Sequence, residues 1–177
     1  APTLTATADS PTFTEGGAAA GLYSSTSINL VESGDAVNTL TLTVAGLQNG
    51  ASEILSVDGT DVALTNGTSL TTAANSYVVN VSVSSGTATV TLTKAGNYTA
   101  AAAQTLVDGL AYENTSDDPT GANRTATLTL IKDSGGTANG GDDDTVLSIA
   151  STVTLTAVND APTLTATADN PTFTEGG

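Results

Sequence analysis

Leu40-Thr41-Leu42-Thr43-Val44 alternates apolar residues with threonine. A period of two puts Leu40, Leu42 and Val44 on one face of an extended chain and both threonines on the other. The branched Cβ of threonine suits a pleated surface. The pattern is therefore that of a strand with one buried face, and it recurs on both sides. Upstream, Ser27 to Val31 alternates likewise and is joined to it through the turn-forming Glu32-Ser33-Gly34-Asp35. The two segments read as neighbouring antiparallel strands. Downstream, Glu53 to Leu64 folds back around Asp58-Gly59, a dipeptide that favours a tight hairpin, and Tyr77 to Val83 pairs with Ala88 to Thr93 across Ser84-Ser85-Gly86.

Leu4, Ala6 and Ala8 alternate with threonine at the start of the chain; Pro11 interrupts the pattern and Phe13 resumes it before Glu15-Gly16-Gly17. Leu110 to Glu113, Thr125 to Lys132 and a long last segment, Val146 to Val158 with Val153, Leu155 and Ala157 on one side, complete the strands. One stretch departs from this period. Ala100 to Asp108 consists mostly of helix formers, with Thr99 placed to cap it, Gly109 placed to end it, and Leu106 and Leu110 placed to face the core. These elements predict an all-β fold: an antiparallel β-sandwich of immunoglobulin-like type, with one short helix, enlarged over the ~100 residues usual for such domains. A β-helix would need short internal periods, and none occurs within the first 160 residues.

A period exists at a larger scale. Ala1 to Gly17 returns as Ala161 to Gly177 with one change, Asn170 for Ser10. The chain reads as one repeat, 1–160, followed by the first strand of the next, 161–177. That arrangement is expected of a tandem array cut from a longer protein. A repeat of this length buries roughly two thirds of its unfolded surface and needs no staple.

Eighteen acidic residues stand against Lys94, Arg124 and Lys132, for a formal charge of -15. That charge repels nucleic acid and anionic membranes and makes cations the natural small partners. No apolar run approaches the ~18 residues of a membrane span, so no membrane insertion is expected. Cysteine and histidine are absent, no Gly-x-Ser-x-Gly elbow occurs, and aromatics are scarce. Catalysis is not expected. Asn-x-Ser/Thr matches at Asn66, Asn80, Asn97, Asn114 and Asn123 are what chance gives in so threonine-rich a chain. Lys94 or Lys132 could join an asparagine in an intramolecular isopeptide bond, but the sequence identifies no partner for either.

The acidic loops carry the chemistry. Calcium takes six to eight hard oxygens from carboxylates, carbonyls and asparagine, and short acidic turns supply several together. Asn114 to Asp118, the triplet Asp142-Asp143-Asp144 in the acidic loop that follows Lys132, and the junction Asn159-Asp160 fit that requirement. The ligand candidates are Asp35, Asp117, Asp118, Asp142, Asp144, Asn159 and Asp160, with Ca2+ as the cofactor.

Val158-Asn159-Asp160-Ala161-Pro162 resembles the linkers of cadherin-like repeats, and Leu40 to Gly46, Gly50 to Glu53 and Gln104 to Asp117 look like extender repeats of giant type I-secreted adhesins of the RTX group. The resemblance covers the whole repeat. It implies a calcium-stiffened structural extender outside the cell, on a bacterial surface, in biofilm or cell adhesion, with neighbouring identical repeats as its partners. It also implies that Glu15, with its copy Glu175, is the family's calcium-binding glutamate. Ala157 and Ala161 stand where animal cadherins have aspartate and asparagine, which implies fewer ions per junction. Two other functions fit the sequence: a module that assembles into filaments by donating its terminal strand to a neighbour (β-augmentation), and an adhesin domain whose loops bind a glycan or a protein.

Overall fold

The computed structural model describes residues 1–138 and 141–176. Asn139, Gly140 and Gly177, which belong to the acidic loop and to the repeated segment, lie outside the described residues. In chain order the elements are β1 (Thr3–Ala8), β2 (Thr12–Thr14), β3 (Ala20–Gly21), β4 (Tyr23–Asn29), β5 (Val37–Ala45), β6 (Glu53–Val57), β7 (Thr60–Ala63), β8 (Ser69–Thr71), β9 (Val78–Ser84), β10 (Thr87–Tyr98), α1 (Ala100–Asp108), β11 (Ala111–Asn114), β12 (Arg124–Asp133) and β13 (Asp144–Thr156). The fold is an all-β sandwich with one short helix, as the alternation predicts.

Burial follows the period of two. In β5, Val37, Leu40, Leu42 and Val44 are buried while the threonines between them are only half-buried. β5 pairs with β10 on one side and β12 on the other, within a seven-stranded sheet of order β2-β13-β12-β5-β10-β9-β8. A four-stranded sheet, β3-β11-β6-β7, and the pair β1-β4 complete the strands. Apolar side chains from all of them form one core, in which Phe13 of β2 meets Tyr112 of β11 edge to face at 6.0 Å. The Tyr23 hydroxyl on β4 donates to the Ala126 carbonyl on β12 at 2.8 Å.

Several local expectations hold. Asp58 and Gly59 both take positive φ, 54° and 72°, as a two-residue hairpin turn of the primed kind requires. The Thr99 hydroxyl accepts from the Ala102 N–H at 3.1 Å, and Leu106 and Leu110 are buried. Others are corrected. The segments either side of Glu32-Ser33-Gly34-Asp35 are not paired with each other: β4 pairs with β1, and β5 lies in the large sheet. Alternation reports which face of a strand is buried and not which strand lies beside it. Gly109 does end α1, as expected, although at φ −90° rather than in the left-handed region; a Cβ there would lie 3.2 Å from the Thr105 carbonyl oxygen. Ala157 lies beyond β13 and is exposed.

The chain enters and leaves at opposite ends. The Pro2 carbonyl accepts from the Thr145 hydroxyl at the start of β13, whereas the Val158 N–H donates to Glu15 Oε2 just past its end. From Thr145 to Val158, at about 3.3 Å per residue, is about 40 Å. Beyond Asp160 the repeated segment forms no strand among its described residues, and Leu164 and Phe173 are 92% and 90% exposed. Their counterparts Leu4 and Phe13 are 5% and 1% exposed.

Candidate cation sites at the two ends of the sandwich

At the entry end, the β4–β5 loop brings Glu32 and Asp35 to Asp133, the last residue of β12. One oxygen from each carboxylate lies within 4.8 Å of the others. Asp133 is 2% exposed; its Oδ1 accepts from the Gly135 N–H at 2.9 Å, and its Oδ2 is buried without a hydrogen-bond partner among the described residues. Asp35 Oδ2 is buried and unpartnered in the same sense. The Asp35 carboxylate beside it holds the Glu32 carboxyl above the usual carboxylate range. Gly135 closes the group: a Cβ there would lie 2.7 Å from Asp35 Oδ2 and 3.1 Å from Glu32 Oε2. Three converging carboxylates, each offering one oxygen and two of them with an orphaned buried oxygen, have the all-oxygen chemistry that a hard divalent cation takes, with no nitrogen or sulfur ligand.

Asp142, Asp143 and Asp144 form a second group at this end, also within 4.8 Å. The middle member is already partnered: Asp143 is 8% exposed and pairs with Lys132 Nζ at 2.9 Å, which raises the lysine's pKa. The Asp143 carbonyl also accepts from the Asp133 N–H at 2.8 Å, so the two groups are held side by side. Lys94, the other lysine of the chain, lies over the Tyr77 ring at 5.2 Å.

At the exit end, Glu15, Glu113, Asp117 and Asp160 line an open cleft of about 450 Å³. Three of the predicted ligands, Glu15, Asp117 and Asp160, are thus brought together, but no three of these carboxylates converge as closely as Glu32, Asp35 and Asp133 do. Glu15 holds the departing chain through its 2.8 Å bond from the Val158 N–H. The Asn159 side chain donates to the Asp160 carbonyl at 3.1 Å, and Asp118 is exposed outside the cleft lining.

A buried ion pair positions the loop that carries Asp117. Arg124 and Glu53 are both 0% exposed, and the guanidinium grips the carboxylate twice, Nε to Oε2 at 2.8 Å and Nη2 to Oε1 at 2.9 Å. The Gln48 and Asn49 N–H groups and the Tyr112 hydroxyl also donate to Glu53. Burial pushes the Glu53 carboxyl up, and these donors, Arg124 foremost, outweigh it and hold it below the usual range. Asn49 Oδ1 accepts from Arg124 Nη2 at 3.0 Å, from Asn114 Nδ2 at 3.0 Å and from the Thr120 N–H at 3.2 Å, while Arg124 Nη1 donates to the Ala122 carbonyl. The 114–123 loop is therefore tied to β6 from below, and the Asn114 side chain is committed to this network.

Sequence reasoning missed Glu32 and Asp133 as ligand candidates. Both lie in segments it had singled out, but Asp133 is 98 residues from Asp35 (133 minus 35), and no local pattern signals that they meet. The Arg124–Glu53 pair left a weaker signal, a lone arginine in a strand start beside no acidic neighbour. Comparison with family models, curated proteins and solved structures found no match for this chain.

Proposed function

We propose that the repeat is a structural extender, a spacer unit of a tandem array whose junctions are stiffened by calcium. The observation that carries this reading is the axial path of the chain: it enters at Pro2, leaves at Val158 about 40 Å away along β13, and begins the same sequence again at Ala161. Units joined in this way add length, because each exit end faces the next entry end. Both ends are acidic. The exit cleft of one unit, with Glu15, Asp117 and Asp160, would meet the entry group Glu32, Asp35 and Asp133 of the next.

Without a cation, two such ends repel. With one bound only in the folded, docked state, the junction gains RT ln(1 + [Ca]/Kd), about 2.7 kcal/mol at a hundredfold excess over Kd. Calcium-poor cytosol would leave the array loose and calcium-rich surroundings would stiffen it. This agrees with the resemblance to extender repeats of secreted bacterial adhesins, and on that reading the array stands at the cell surface. Small-angle scattering of a two-repeat tandem tests the proposal: the maximum dimension should lengthen and sharpen in calcium and not in magnesium. A tandem equally bent and mobile in calcium and in chelator would refute it.

A further inference from the structure

We infer that the outer face of the seven-stranded sheet is a self-pairing surface, and that the partner it fits is the same face of a second copy of this chain. Cross-strand register defines the face, because residues paired directly across a sheet point to the same side. Ser82, Thr89, Thr43, Thr127 and Ala150 form one row across β9, β10, β5, β12 and β13. The row on one side of it carries Thr91, Thr41, Leu130 and Val146, and the row on the other is centred on Ala45. All of these residues are exposed or half-buried, whereas the alternate positions Val90, Leu42 and Leu128 point into the core.

Threonine on an open strand face is ordinary. Two other features of this face are not. None of the chain's eighteen acidic and three basic residues falls in the three rows; the nearest, Lys132 and Asp144, are paired in register at the edge. Val146, which stands beside Leu130 on this face, is 79% exposed, the most exposed large apolar residue among the described residues before Ala161.

These features select the partner. Two copies, each with a formal charge of -15, repel through most of their surfaces, but here they can approach without burying a charge. Each threonine hydroxyl both donates and accepts and has a methyl group beside it, so the face is its own complement. A twofold axis lying in the plane of contact brings the two faces together. Five strands about 4.8 Å apart and six residues of each at about 3.3 Å cover roughly 480 Å², or about 1,000 Å² for two copies. That is the lower bound for a specific interface, so single units pair weakly. Units standing side by side in two arrays repeat the contact, and the weak pairings reinforce one another.

Sedimentation equilibrium of this chain at millimolar concentration tests the inference. In about 1 M salt, where charges are screened beyond about 3 Å, the weight-average mass should rise toward twice that of the monomer. In about 0.01 M salt, where the screening length is about 30 Å, it should fall back. Val146→Lys puts a charge on the face without touching the core and should weaken association at least tenfold; Thr43→Lys/Thr127→Lys should abolish it. Both variants lower the net negative charge, so relief of repulsion alone would strengthen association instead. Ala101→Lys, on the exposed side of α1, makes the same change of charge off the face and should associate as the wild type does. A wild type that stays monomeric in high salt, or a Val146→Lys chain that associates as well as Ala101→Lys, would overturn the inference.

Discussion

Removing the guanidinium of Arg124 should expose how much of the fold depends on one buried charge pair. Arg124→Met keeps the length of the side chain and its apolar stem. It removes both bonds to Glu53 and the bond to Asn49 Oδ1, leaving a carboxylate that is 0% exposed with only the Gln48, Asn49 and Tyr112 donors. Breaking such a pair from one side costs about 3–5 kcal/mol. In a domain of this size each kcal/mol moves the melting temperature by about 2–4 °C, so a drop of roughly 6–20 °C is expected. Glu53→Gln/Arg124→Met removes the orphaned charge and should recover part of the loss.

The pH dependence carries a sign. In the wild type the Glu53 carboxyl is depressed on folding, so its contribution is present above the ordinary carboxylate range and is lost as pH falls through the depressed folded value. Without Arg124 the carboxyl loses the main group holding it down, and acidification from neutrality should shrink the gap between variant and wild type. Thermal melts by circular dichroism between pH 4 and 8 measure all of this. A single variant that melts with the wild type, or a double variant no better than the single, would refute the reasoning.

Three further outcomes follow from the same contacts. Asp133→Asn removes one of three converging charges; melts should show a chelated state more stable by on the order of 1 kcal/mol and a smaller calcium response. Asp160→Ala should leave the melt of one repeat unchanged while broadening the scattering distance distribution of a two-repeat tandem. Thr99→Ala removes the cap on α1, whose hydroxyl accepts from the Ala102 N–H; a loss of about 1 kcal/mol is expected, read from urea midpoints at constant m.

The strands were legible because burial on one face forces a period of two, visible in Leu40, Leu42 and Val44. The helix was legible because Thr99 caps it through a local bond. Pairing was legible where a tight turn joins two strands, as in β6–β7 and β9–β10, but not across the longer β4–β5 loop, whose strands are similar in pattern yet lie in different sheets. The site divided in the same way. Glu15, Asp117 and Asp160 could be read from loops and a linker and do share one cleft. The convergence of Asp35 with Glu32 and Asp133 depends on the β4–β5 loop meeting the end of β12, a long-range contact with no local signature. Arg124 and Glu53, 71 residues apart, were legible only as a rare cation and one acid among many.

The central claim is that the carboxylates at the ends of the sandwich are metal sites and more than solubilising charge. A melt of the chain in millimolar calcium, in excess chelator and in millimolar magnesium tests it most directly. The account predicts a large upward shift specific to calcium, diminished by Asp133→Asn. No shift, or the same shift with magnesium, would contradict it.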